Sequence, residues 1–306
     1  MSRVLRQSVR NPSPQLRPPL KWPGGKRWLV PYLEGIWKSH LHRRLVEPFV
    51  GGLSVALGLV PERALLNDLS PELINFYRVL QSGLVIPPAF PMDRELDLYL
   101  RHRDRFNALL PRLDSAPNRE AAALLYFLNR TCFNGLHRLS SSGKFNVAFG
   151  RHKTINYVRD FTAYAQAFSP WTFTLGDFER VDLDDEDFLY VDPPYDGGFD
   201  EYTSTGFDWD DQLRLFKWAR RHRGPVVISN AATDRVVELY RSAFDLRFIR
   251  GPRSISRDGD RTPARELLAT RNLSRQPRRP SSRQREPLLA GAVPSSRSAH
   301  ANPRQS

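Results

Sequence analysis

The chain has 306 residues, a formal net charge of +13 and one cysteine, Cys132. That length buries a core of one large domain with room for an insertion. A lone cysteine excludes an internal disulfide and any cysteine-based zinc cluster, so no metal is expected. No run of about 18 apolar residues occurs, which excludes a membrane-spanning helix. Met1 to Arg10 lacks the apolar core of a secretory signal, and a cytoplasmic protein is expected.

The charge is concentrated at the ends. Residues 1–17 carry four arginines and no acid, and residues 272–306 carry seven arginines against Glu286, which leaves only +3 for residues 18–271. Both tails are rich in Pro, Ser and Arg and have no periodicity, so they are expected to be disordered. Their charge is expected to raise salt-sensitive affinity for phosphates without reading sequence, and a role in solubility fits the same composition.

In chain order, Leu20 to Trp28 is a Gly-rich turn flanked by Lys21 and Lys26 that opens a helix. Leu45 to Leu57 reads as a short strand, a glycine turn and a helix, and Ala64 to Leu69 as a strand ending in Asp68. This alternation, up to about Asn75, suits half of a doubly wound sheet. From about Arg78 the character changes. Asp93 to Leu113 and Glu120 to Asn129 have helical apolar spacing, and Arg138 to Val147 reads as a β-hairpin with a Ser/Gly turn. After Phe161 the α/β pattern returns. Strands are expected at Trp171–Leu175, Asp187–Val191 and Pro225–Ser229, helices at Gln212–Arg221 and Val236–Ser242, and closing strands at Phe244–Arg250 and Glu266–Thr270. The whole reads as an α/β domain, residues 18–77 and 157–271, interrupted by a mostly helical insertion at 78–156.

Two segments carry chemistry. The apolar strand Leu189-Tyr190-Val191 stops at Asp192-Pro193-Pro194-Tyr195. Neither proline offers an N–H and each fixes φ, so the strand hands over to a rigid loop at its carboxyl end, where open α/β sheets bind ligands. A carboxylate, the Pro193 carbonyl and an aromatic face are the groups needed to hold a planar base with an exocyclic amine. An ordinary strand exit has the same local form. The other segment, Phe49-Val50-Gly51-Gly52-Leu53, brings backbone N–H groups and a helix start close to a polar ligand without matching G-x-G-x-x-G. Asp68, ending the next strand, suits a grip on ribose hydroxyls. A nicotinamide cofactor fits that pair equally well.

Seven blocks stand in order: K-W-x-G-G-K from Lys21, E-P-F-x-G from Glu47, N-D-x-x-x-x-L from Asn67, N-R-x-x-x-N-G from Asn129, G-x-F-N-V-x-F-G from Gly143, D-P-P-Y from Asp192 and R-S-I-S from Arg253. Together they resemble the Dam-type DNA adenine N6-methyltransferases, and the resemblance runs from about Leu20 to Thr270. It implies a Rossmann-like methyltransferase sheet with an inserted target-recognition domain, S-adenosylmethionine as cofactor and double-stranded DNA as partner. It also implies Lys21, Trp22, Gly24, Gly25 and Lys26 around the methionine end, Glu47, Phe49 and Gly51 at the turn, Asp68 on the ribose and Asp177 at the cofactor adenine. Asp192 to Tyr195 would hold a flipped adenine, with Phe199 or Tyr202 lining the pocket. Arg138 would read a base, with Asn134 and Arg151 near the DNA, and the polar loop from Arg253 to Arg261 would approach phosphates. A monomer is expected.

The chain departs from the family pattern in places. Leu53 replaces the last glycine of F-x-G-x-G, which opens the alternative of a catalytically impaired DNA-binding relative. An amine methyltransferase acting on RNA is a second alternative. Leu139, Ser140, Ala148 and His152 differ from the residues of GATC-reading members, so GATC is only the default site.

Overall fold

The computed structural model describes residues 16–113, 116–195, 206–252 and 264–273. Phe199, Tyr202, the loop from Arg253 to Arg261 and nearly all of both tails lie outside the described residues. Helix α1 (Val30–Trp37) follows a 3-10 turn and carries Pro31 in its first turn, where a missing N–H leaves no bond unmade. Then come β1 (Leu45–Glu47), α2 (Ser54–Leu59), β2 (Ala64–Asp68) and α3 (Pro71–Gln81). Ser70 caps α3, its Oγ accepting from Leu73 N at 3.3 Å.

The insertion contributes α4 (Leu96–Leu109) and α5 (Arg119–Thr131), the latter capped by Asn118 Oδ1 on Ala121 N at 2.9 Å. Residues 121–129 of α5 are all buried, as a helix apolar on every side must be. Helix α3 runs through residue 78 without a break, so the insertion grows out of a helix of the α/β layer. The expected hairpin is present in a short form. Leu139 bridges Phe145, Ser140 N donates to Lys144 O at 2.8 Å, and Gly143 takes the positive φ of the turn.

After the insertion come α6 (Thr162–Phe168), β3 (Trp171–Leu175), β4 (Phe188–Val191), α7 (Trp209–Arg221), β5 (Val226–Ala231), α8 (Asp234–Arg241), β6 (Asp245–Gly251) and β7 (Ala264–Arg271). Helix α7 begins three residues earlier than the apolar pattern suggests, because Asp208 and Asp211 form a reciprocal capping box.

The seven strands form one sheet in the order β3-β2-β1-β4-β5-β7-β6. The first five are parallel, and β7 runs antiparallel to both neighbours. Side chains alternate between two cores. Leu45, Leu66, Tyr190 and Val227 join the core beneath α1, α3 and α5, while Val46, Leu65, Leu189 and Ile228 join that of α7 and α8. Helices therefore cover both faces of a mostly parallel sheet, the expected doubly wound arrangement. Strand order reverses between β1 and β4, which opens a crevice at their carboxyl ends. Glu47 ends β1 there and Asp192 follows β4.

Candidate active site

Asp192 is held from behind. Ser229, near the end of β5, donates from Oγ to Asp192 Oδ1 at 2.8 Å, and the Tyr190 hydroxyl lies 2.9 Å from the same Oγ. Lys26 approaches from the crevice. Its Nζ lies 3.2 Å from Asp192 Oδ1, donates to Gly24 O at 3.0 Å, and stands 4.5 Å over the Tyr195 ring. The Tyr195 hydroxyl donates to Glu266 Oε2 at 2.8 Å, so the side chain is held at its hydroxyl as well as on its face. Gln212 Nε2 donates to Pro194 O at 3.0 Å and is itself held by Asn230. The loop is thus rigid through its prolines and through contacts from β5, β7 and α7.

Three carboxyl groups crowd this space. Burial pushes Asp192 above the usual carboxylate range, while Lys26 and Ser229 pull it back. Burial also raises Glu266, and raises Glu47 well above its ordinary value with the charge of Asp192 adding to the effect. Glu47 Oε1 is buried with no hydrogen-bond partner among the described residues. An orphaned carboxylate oxygen costs free energy unless a donor arrives, so its place in the crevice suits a cationic N–H.

The glycine turn lies alongside. Gly51 N donates to Asp68 Oδ2 at 3.0 Å, Ser70 N to Asp68 Oδ1 at 3.1 Å, and the Tyr77 hydroxyl to Gly51 O at 2.5 Å. Each Asp68 oxygen keeps acceptor capacity for a hydroxyl. Gly51 has φ +44°, which calls for glycine, and a Cβ at Gly52 would come 2.7 Å from Trp22 Cβ, which the close approach of Trp22 forbids. Leu53 takes φ +63°, a strained value for leucine, yet its side chain is fully buried in the core. Gly25 lies against Ser54, 3.3 Å from Oγ to an added Cβ.

Asp177 follows β3 and is engaged by Arg214 at 3.0 Å, beside an aromatic group of Phe49, Phe178 and Phe207. Lys21 is placed differently from Lys26. Its side chain lies over Gly135, and its backbone pairs with Asn129, N to Oδ1 and Nδ2 to O both at 2.8 Å.

The three candidate DNA residues share one region. Arg138 Nε donates to Asn146 Oδ1 at 2.8 Å across the hairpin. Asn134 is exposed at φ +53°, and exposed Arg151 follows the segment that Cys132 and Phe149 bridge. The residues not foreseen are Ser229, Glu266, Gln212 and Tyr190, which position the loop, and the pair Glu72 and His137. Ser229 lies near the end of β5, the strand beside β4, and only the strand order brings it to Asp192. Glu266 lies far along the chain on an antiparallel strand, and nothing local marks it.

A doubly wound sheet with this switch-point crevice and a strand-end Asp-Pro-Pro-Tyr loop defines the Rossmann-like methyltransferase class. Residues 22–251 match the model of the D12 class N6 adenine-specific DNA methyltransferases, and the chain belongs to that family. It is 37% identical over 276 residues to a DNA adenine methylase of Vibrio cholerae, covering 82% of this chain and 94% of the relative. It is also 32% identical over 277 residues to the type II methyltransferase M1.LlaDCHI of Lactococcus lactis, covering 83% and 95% respectively. To a DNA adenine methylase of Haemophilus influenzae the identity is 32% over 291 residues, covering 88% and 98%. The chain is an adenine-specific DNA methyltransferase. No helix among the described residues is long and apolar enough to cross a membrane.

Proposed function

We propose that the chain, acting as a cytoplasmic monomer, methylates N6 of an adenine turned out of double-stranded DNA, with S-adenosylmethionine as the donor. The observation that carries this reading is Asp192, held by Ser229 and Lys26 beside the Tyr195 ring at the carboxyl end of β4. The donor's fit rests on Glu47 Oε1, whose missing partner suits the amino group of the methionine end, and on the cradle of Gly51 and Gly52. Asp68 would hold the ribose, and Asp177 with Phe49 the adenine. Lys21, Trp22, Gly24, Gly25 and Lys26 would close the methionine end.

S-adenosylmethionine, when bound, supplies an electrophilic methyl group on a sulfonium that departs as a thioether. The adenine amine is a poor nucleophile because its lone pair is delocalised into the ring. Asp192 and the Pro193 carbonyl accept the two amine hydrogens, which localises the lone pair for in-line attack. Asp192 must be ionised to accept. Lys26 and Ser229 favour that form against the burial that opposes it. The extra amine proton leaves late, through Asp192 or water. Tyr195 offers its ring to the base, which must leave the duplex stack at a cost of a few kcal/mol.

Residues 78–156 would form the DNA-reading insertion. Arg138 at the hairpin would meet a guanine edge, and Asn134 and Arg151 would lie near the backbone or bases. GATC remains the default site. Methylome sequencing of a methylation-free host expressing the chain tests the reading. N6-methyladenine at one recurring sequence is expected, and an unmethylated genome or modified RNA alone would overturn it.

A further inference from the structure

Trp22 stands between the glycine turn and the DNA hairpin. Its indole covers the turn, with Nε1 3.1 Å from a Cβ placed at Gly51. The His137 ring stacks on it, 5.2 Å between centroids and 24° between planes. His137 Nε2 lies 3.1 Å from Glu72 Oε1, out of line for a hydrogen bond. Glu72 is only 2% exposed and sits in the first turn of α3, just beyond Asp68. Burial pushes its carboxyl up, but His137, together with hydrogen bonds from Ser70 and the local backbone, leaves it below the ordinary range. A buried carboxylate of this kind depends on the polar partner beside it.

His137 also belongs to the hairpin. It immediately precedes Arg138, and its ring lies 5.8 Å from that of Phe145 on the returning arm. A second tie joins the same two regions. Asn129 pairs with the backbone of Lys21 and donates to Gly135 O at 3.1 Å. The segment carrying Trp22 and the segment leading into the hairpin are therefore fastened together at two points.

We propose that His137 is a positioning residue that couples methyl-donor binding at the glycine turn to DNA binding at the hairpin, through its stack on Trp22 and its pairing with Glu72. The inference rests on the reading above, in which the donor lies on that turn and the hairpin meets DNA. A hairpin seated on DNA holds His137 in place, His137 holds Trp22 against the turn, and the donor meets a formed wall. By linkage, the donor strengthens DNA binding by the same factor.

Calorimetry with S-adenosylhomocysteine, the unreactive product of the donor, tests this with and without a saturating duplex bearing the methylated sequence. In the wild-type protein the duplex is expected to tighten product binding about fivefold or more. In His137→Ala that ratio should fall to about one. His137→Phe keeps the ring but strands the Glu72 charge. Adding Glu72→Gln removes that charge, and the double variant should recover at least half of the wild-type ratio. A wild-type ratio of one, an undiminished ratio in His137→Ala, or a double variant as uncoupled as His137→Ala would each overturn the proposal. Wild-type protein that binds neither product nor duplex would instead overturn the functional reading beneath it.

Discussion

Asp192 and Glu47 face the same crevice, and burial raises both carboxyl groups, with opposite consequences expected of each. Asp192 has Lys26 and Ser229 to favour its ionised, accepting form. Removing the carboxylate should cost at least the 10²- to 10³-fold typical of one lost preorganised group, while donor affinity changes only a few-fold. Single-turnover methylation by Asp192→Ala at near wild-type rate would remove Asp192 from the chemistry. The upward shift of the Asp192 carboxyl also has a sign in the pH profile. The rate should fall on acidification at a pH above the ordinary aspartate value of about 3.9. Glu47 has an orphaned oxygen instead. Because its folded-state value is raised, its contribution to stability is full below the ordinary glutamate range and is lost as pH rises through the folded value. Glu47→Gln removes that penalty. The donor-free variant should melt a few degrees higher than wild type at pH 7, an advantage that shrinks in mild acid, and should bind the donor more weakly. A lower melting temperature at pH 7 would show that Glu47 is stabilising as it stands.

At the scale of elements, what was legible in the sequence was what local chemistry writes there. Leu189-Tyr190-Val191 followed by two prolines marks a buried strand and its end, and β4 is found at Phe188–Val191. The strand at Trp171–Leu175 follows the expected bounds because aromatic and β-branched residues alternate up to Gly176. Helix α6 was not anticipated, since only Phe168 is buried and no cap hydrogen bond announces it. The partners of Asp192 and Tyr195 were illegible for a different reason. Ser229 and Glu266 come to the loop through strand order, and no sequence window contains that order. The hairpin is legible in its turn but is shorter than a ribbon, with a single bridge between Leu139 and Phe145. The DNA-reading role proposed for it would therefore rest on few side chains. Asn146 Oδ1 takes Arg138 Nε and so orients the guanidinium. Arg138→Ala should relax discrimination at one base pair, worth about 1–3 kcal/mol, rather than weaken all sites alike. Methylation scored across every single-base variant of the preferred site separates these outcomes. An equal loss at each variant would make Arg138 a backbone contact.

For the whole molecule, the distribution of charge separates reading from attraction. Residues 18–271 carry only +3 of the net +13, whereas seven arginines lie between residues 275 and 304 against the single acid Glu286. The last described residues close the sheet before that point. Asn272 Nδ2 donates to the carbonyls of His222, Arg223 and Gly224 at 3.0–3.3 Å, which ties the end of β7 to the body of the fold. A truncation after Ser274 therefore keeps this anchor and removes all seven arginines. Phosphate contacts position a protein without specifying sequence, and each one lost reduces the slope of log affinity against log salt by roughly 0.9. The truncated protein should bind DNA more weakly at low salt, show a flatter salt dependence, and converge on the full chain as salt rises. Its melting temperature and its methylated sequence should be unchanged. Binding isotherms at several salt concentrations, with methylome sequencing of the truncated form, check both halves. An altered recognition sequence would show that the tail touches bases, and an unchanged salt slope would show that its arginines do not reach the phosphates.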